Sequence, residues 1–340
     1  MGIQERRSLI KEIEELSRSR LITYITGDRR GLETRIANDV QPLIHEHLRD
    51  IGVVPKLNLF LYTAGGDALA GWGIVILLRE FCKSLGVIIP YRALSCGTLI
   101  SLGADEVIMA KGAQLSPIDP SLASPYNPPA PGQMQPGAVP LLPVSVEDVM
   151  GYLKLARDEV GIKGDEGLAK IVGFLSEKIH PLALGAVYRS REQIALLAHK
   201  LLASHEKDKT KIDRMVNTLT KELPSHQYVI AREEAKNLGF PIVDPPEPLE
   251  ELIWKLHKEY ESWLELNKPY NPEEILGDNP STVVGFDRAA IESLKPNAEL
   301  KTHVFRTERE IRRVQGTQPG APFPVVGVQE RNTTERWIEI

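Results

Sequence analysis

From residue 20 to residue 109 the chain alternates short apolar runs with segments of helix length, and few folds accept that rhythm. The apolar runs are Leu21–Ile25, Leu57–Tyr62, Val87–Tyr91 and Glu106–Met109. Between them lie a helix-period segment through Ile44, His45 and Leu48, a second from Ala68 to Leu85, and a third ending at Ala104. Strands separated by helices of about ten to fifteen residues pair in parallel, because a helix is the short way back to the start of the next strand. The fold class is therefore α/β. With 340 residues, 42% of them apolar, the chain can bury one large domain with extensions, or two domains.

Two of the strand-to-helix turns are built from small residues. Thr63-Ala64-Gly65-Gly66-Asp67 follows the second apolar run, and Ala93-Leu94-Ser95-Cys96-Gly97-Thr98 follows the third. A hydroxyl held where a helix begins sits among free N–H groups and the positive end of the helix dipole, which favour developing negative charge. A glycine pair lets another backbone N–H approach the same point. Together the two turns supply the parts of an acyl-transfer site, with Ser95 as nucleophile and the N–H groups of Gly65, Gly66 and Cys96 as oxyanion hole. Taken singly, each motif fits an ordinary tight turn or a close-packing site equally well. Cys96 is expected to serve through its backbone, behind Ser95 as a nucleophile.

The rest of the composition excludes several classes. A net charge of −5 offers no general polyanion-binding surface, so no nucleic-acid partner is expected. Two cysteines, Cys82 and Cys96, argue against a disulfide framework and suit a reducing compartment. The opening segment, with Leu9, Ile10, Ile13 and Leu16 among charged residues, patterns as an amphipathic helix and not as a signal peptide. No run approaches the roughly 18 apolar residues of a membrane span. The expected location is the cytoplasm, with no integral membrane segment.

Beyond Leu115-Ser116-Pro117-Ile118-Asp119-Pro120 the composition changes. Nine prolines fall between Pro117 and Pro143, which excludes helix and central strand and predicts a long extended loop over 117–143, either a flap beside the site or a disordered insertion. Helix-period patterning resumes over about 146–221 and breaks at His180-Pro181. A short strand at 225–230 leads into a helix ending at Gly239, and Leu249–Leu266 is another amphipathic helix. These segments define an expected main domain over residues 1–266. Turns at Asn271-Pro272 and Gly277-Asp278-Asn279-Pro280 and alternating runs thereafter predict a small β-containing appendage over 267–340.

The residues at 57–120 resemble the Clp-protease/crotonase superfamily, and within it the serine dehydrogenase proteinase family, relatives of signal peptide peptidase A. The resemblance lies in Thr63-Ala64-Gly65-Gly66, Ala93-Leu94-Ser95-Cys96-Gly97-Thr98, Ala104-Asp105-Glu106-Val107-Ile108-Met109 and Leu115-Ser116-Pro117-Ile118-Asp119-Pro120. Weaker similarity reaches back to Arg6 and forward through Glu234-Ala235-Lys236-Asn237-Leu238-Gly239. The resemblance implies a spiral of ββα units, homo-oligomeric assembly, and hydrolysis of a peptide or protein substrate without metal or cofactor. It matches Ser95 to the nucleophile, and Gly66 (with Gly65) and the Cys96 N–H to the oxyanion hole.

The general base departs from the pattern. Where Clp proteases carry a histidine soon after the serine, this chain has Ser116-Pro117-Ile118-Asp119, and where the signal peptide peptidases carry a lysine it has Val144-Ser145. Lys154 lies further along and reads as a surface residue. Three residues stand as substitutes for the base: His180, which is the expected one, His226, and Asp119, close to the expected position of Ser95. A serine without an effective base is a poor nucleophile. The leading expectation is a cofactor-independent serine peptidase. The alternative is a catalytically silent Clp-fold protein that binds peptides or a partner protein, and an acyl-CoA enzyme of the crotonase type ranks third.

Overall fold

The computed structural model describes residues 2–118, 121–122, 126–128, 141–142, 144–223, 225–316 and 325–340. Asp119 and most of the proline-rich segment 117–143 lie outside the described residues. The chain forms two compact units, Met1–Leu115 with Ile230–Ile340, and Ser116–Val229.

In the first unit, α1 (Ile3–Ser17) precedes β1 (Arg20–Thr26), α2 (Gln41–Ile51), β2 (Val54–Tyr62), α3 (Ala68–Glu80), β3 (Cys82–Ile89), α4 (Cys96–Ser101), β4 (Glu106–Met109) and β5 (Gln114–Leu115). The four expected strands are all present. β1 pairs parallel with β2, β2 with β3, and β3 with β4. Their apolar runs are nearly continuous because both faces are covered: the last six residues of β2 and the last five of β3 are buried.

The second unit holds the antiparallel pair β6 (Ser121–Leu122) and β7 (Val144–Ser145), then α5 (Val146–Lys154), α6 (Asp165–Lys178), α7 (Pro181–Ala203) and α8 (Lys209–Asn217). Val149 of α5 and Val187 of α7 centre its core, with Leu175, Ile179 and Leu184 against them. The expected break at His180-Pro181 separates α6 from α7, since proline suits a first helical turn and not an interior one.

The chain returns to the first unit with β8 (Ile230–Ala231), α9 (Arg232–Leu238), β9 (Ile242–Val243), α10 (Glu247–Trp263) and α11 (Pro272–Leu276), and ends in β10 (Ser281–Leu294), β11 (Leu300–Gly316) and β12 (Val325–Glu339). The main sheet has eight strands in the order β12-β11-β10-β1-β2-β3-β4-β9. The C-terminal strands β10 to β12 extend this sheet beyond β1. β10 lies antiparallel on the free edge of β1, from Ile22 opposite Ser293 to Thr26 opposite Ala289, and satisfies backbone groups that an open edge leaves unpaired. Its buried Ala289, Ala290, Ile291 and Leu294 add apolar contact there.

One buried charge ties the ends of the chain together. Glu292 of β10 is fully buried and receives Arg6 of α1 through Nε at 3.0 Å and Nη2 at 3.0 Å. The Tyr260 hydroxyl donates to it at 2.6 Å and the Thr302 hydroxyl at 2.9 Å. A buried carboxylate is tolerable only with this degree of pairing.

Candidate active site

The two small-residue turns meet. Thr63 N–H donates to the Arg92 carbonyl at 3.1 Å, and Leu94 N–H donates to the Thr63 carbonyl at 3.0 Å. These bonds carry the β2–β3 pairing past the strand ends and into both bends. Gly65 sits at φ +114°, and a Cβ built there would fall 2.9 Å from Ser95 Cβ and 3.4 Å from Ser95 Oγ. Only glycine leaves that space open. Gly66, at φ +156°, is held against Ile36: Ile36 N–H donates to the Gly65 carbonyl at 3.0 Å, and Asp67 N–H to the Ile36 carbonyl at 2.8 Å. Asp67 then caps α3 by accepting the Ala70 N–H at 2.7 Å.

Ser95 stands at the N-cap of α4 with φ 51° and ψ −108°. A side chain in that region costs on the order of 1–3 kcal/mol and persists only where its surroundings enforce it. The strained serine between a strand and a helix has the form of a nucleophile elbow, which pushes the hydroxyl clear of the backbone. Ser95 is half-buried, so the hydroxyl is not sealed inside the core.

The available donors are fewer than the sequence implies. Gly65 N–H is already bonded to Thr63 Oγ1 at 3.0 Å, so it has no hydrogen left for a substrate oxygen. Gly66 N–H and Cys96 N–H have no acceptor among the described residues. The Cys96 thiol is buried, donates to the Asp67 carbonyl at 3.1 Å, and is pushed up to about 12 by desolvation. At neutral pH it is a protonated thiol and no nucleophile.

His180 belongs to the second unit, where it caps α7. Its Nδ1 accepts the Leu182 N–H at 3.2 Å, and its ring stacks on Tyr126 with centroids 4.8 Å apart. With Nδ1 accepting, the neutral ring carries its proton on Nε2 and offers no lone pair to a serine until that cap opens. Lys154, in the last turn of α5, and His226 are exposed.

Sequence reasoning missed a polar group beside these bends. Arg92 Nε donates to the Tyr62 hydroxyl at 3.1 Å, that hydroxyl donates to Asp28 at 2.7 Å, and Arg92 forms an ion pair with Asp28. Their one shared signal is position: each stands at or just past the end of a parallel strand, where open α/β sheets gather functional groups. His257 packs against Tyr62 and Tyr91, and burial pushes it down to about 4, so it is neutral. Among the described residues no cluster of three or more His, Cys, Asp or Glu is placed to hold a metal ion, and no helix is long and apolar enough to cross a membrane.

Residues 1–135 match the ClpP-like SDH-type serine proteinase family. An uncharacterized protein of Methanocaldococcus jannaschii, MJ0137, is 30% identical over 242 residues, spanning 68% of this chain and 72% of the relative. The chain belongs to the ClpP-like SDH-type serine proteinase family. A second uncharacterized protein of the same organism, MJ1495, is 37% identical over 128 residues, which span 35% of this chain and 43% of that relative's length. Two solved structures are also similar. One is a mutant of the 1510-N membrane-bound stomatin-specific protease, with TM-score 0.37 and 15% identity over 64% of this chain and 79% of that one. The other is ClpP1 from Listeria monocytogenes, with TM-score 0.36 and 14% identity over 70% of this chain and 97% of that one. Membership in this family and the parallel pairing of β1 to β4 bear out the α/β, Clp-type fold that the resemblance over residues 57–120 implies.

Proposed function

We propose that this chain is a cofactor-independent serine peptidase acting on a peptide or protein substrate. Ser95 Oγ attacks the scissile carbonyl, and the N–H groups of Gly66 and Cys96 hold the oxyanion. Gly65 contributes room for the serine and not a donor. In this reading His180 takes the serine proton after releasing Leu182, with Asp119 the alternative base. Family membership makes self-association part of the proposal. The observation that carries it is the strained Ser95, directly beside Gly65, in a bend whose Cys96 amide and Gly66 neighbour are both unspent.

A fluorophosphonate probe tests it, because phosphonylation needs both an activated hydroxyl and an oxyanion hole. The native protein should be labelled and Ser95→Ala should not be. Labelling that survives Ser95→Ala removes Ser95 from the chemistry. The occupied Nδ1 of His180 favours one second reading, a silent Clp-fold protein that binds peptides in the same groove. An unlabelled native protein that binds peptides as well as Ser95→Ala does would select it.

A further inference from the structure

Thr63 touches both bends with every group it has. It is fully buried. Its backbone bonds to Arg92 and Leu94 set the register of the serine bend, and its methyl lies against Gly97, where a Cβ would come within 2.6 Å of Thr63 Cγ2. The hydroxyl faces the other way. Oγ1 accepts the Gly65 N–H at 3.0 Å and the Thr26 hydroxyl at 2.8 Å, and donates to the Gly65 carbonyl at 3.3 Å. One donor and two acceptor sites are the whole capacity of a hydroxyl, and all three are used.

The Gly65 carbonyl is the informative partner. A peptide unit is planar and trans, so the Gly65 C=O and the Gly66 N–H point in opposite directions from the same rigid plane. Whatever holds that oxygen also aims that N–H. Two groups hold it, Ile36 N–H at 3.0 Å and Thr63 Oγ1 at 3.3 Å. Glycine has no side chain to restrict its own rotation, so the aim of the Gly66 N–H depends on these outside bonds.

We propose that Thr63, itself held by the Thr26 hydroxyl, is the positioning residue of the oxyanion hole, orienting the Gly66 N–H through the Gly65 peptide. The inference rests on the serine peptidase reading and adds to it a residue that never touches substrate. Thr63→Val keeps the shape and the Gly97 contact but removes the hydroxyl. Thr63→Ser keeps the hydroxyl and removes the methyl.

The experiment measures the maximal rate of fluorophosphonate labelling and the half-saturating probe concentration, with thermal melts to confirm folding. Thr63→Val should lose about tenfold in maximal rate, the worth of one neutral hydrogen bond, with little change in half-saturation. Thr63→Ser should restore most of the rate. Labelling of Thr63→Val at the native rate overturns the proposal, as does a Thr63→Ser protein as slow as Thr63→Val, which would assign the effect to the methyl. Should Thr63→Val fail to fold, Thr26→Val decides, and a native rate there overturns the proposal. A native protein that takes no label overturns the peptidase reading and the role of Thr63 with it, a result distinct from normal labelling of the valine variant.

Discussion

Ser95 occupies a backbone conformation that glycine would adopt more cheaply, and that cost is measurable. The informative comparison is Ser95→Gly with Ser95→Ala, because both remove the hydroxyl and its hydrogen bonds and only one keeps a Cβ at φ 51°. Relief of the strained dihedrals favours glycine by on the order of 1–3 kcal/mol. Against this stands the greater freedom of glycine in the unfolded chain, about 0.4–1 kcal/mol. The half-buried Cβ that is lost is worth about 0.4 kcal/mol, half of a buried methylene. Ser95→Gly should therefore be more stable than Ser95→Ala by about 1 kcal/mol. In urea unfolding followed by intrinsic fluorescence, that is a midpoint higher by about 0.3 M for a slope near 3 kcal/mol/M. Neither variant should take a fluorophosphonate label. If Ser95→Gly proves equal to or weaker than Ser95→Ala, the serine is not strained and the elbow argument fails. If it is stronger, the fold gives up stability to present a hydroxyl, a trade expected where function and stability compete.

Two further predictions follow from burial. Iodoacetamide should leave Cys96 unmodified in the native protein and modify it promptly in denaturant, since a thiol pushed up to about 12 and packed under Gly71 has almost no thiolate and no access; prompt native alkylation would contradict that packing. His47 is buried, with Nδ1 at 2.7 Å from Ser293 Oγ and Nε2 at 3.0 Å from His303 Nδ1, and burial lowers it from 6.5 to about 3. The unfolded chain therefore binds this proton first as pH falls, so the stabilising contribution is complete above about pH 6.5 and is lost on the way down toward pH 3, up to roughly 5 kcal/mol in all. Denaturant melts from pH 7 to pH 4 should show that decline, and His47→Gln should flatten it; an unchanged slope would refute the assignment to His47.

The parts of this molecule that were legible in the sequence are those decided locally. β1 to β4 announce themselves as apolar runs because both faces of a parallel sheet are covered, and the two bends do so because only small residues fit where strand ends and helix starts crowd together. Gly65 and Gly66 look alike in sequence, yet one amide is spent on Thr63 and the other is not, and that depends on which way a hydroxyl turns. The alternating pattern near the C-terminus marks strands, but nothing local says that β10 will seek the edge of β1 some 270 positions earlier, as the Ile22–Ser293 pairing requires. Asp28, Tyr62 and Arg92 were overlooked for the same reason, since each alone is an ordinary turn or strand-end residue.

This division between local and distant information bears on the chemistry. In the proposed reading both oxyanion donors are backbone N–H groups of two short turns, so their motifs declare them, whereas the bonds from Ile36 and Thr63 that would aim one of them are not declared there. Proton transfer instead requires a side chain brought from elsewhere in the chain, and its identity is a matter of tertiary placement. His180 illustrates the point: its helix-start position was visible in Pro181, whereas the bond from Leu182 that occupies its Nδ1 is a product of the folded cap. A base that must first give up a cap is one whose activity is coupled to the opening of the α7 N-terminus. If His180 serves Ser95, stabilising that cap should slow labelling and weakening it should not, an ordering opposite to that of a residue whose only work is structural.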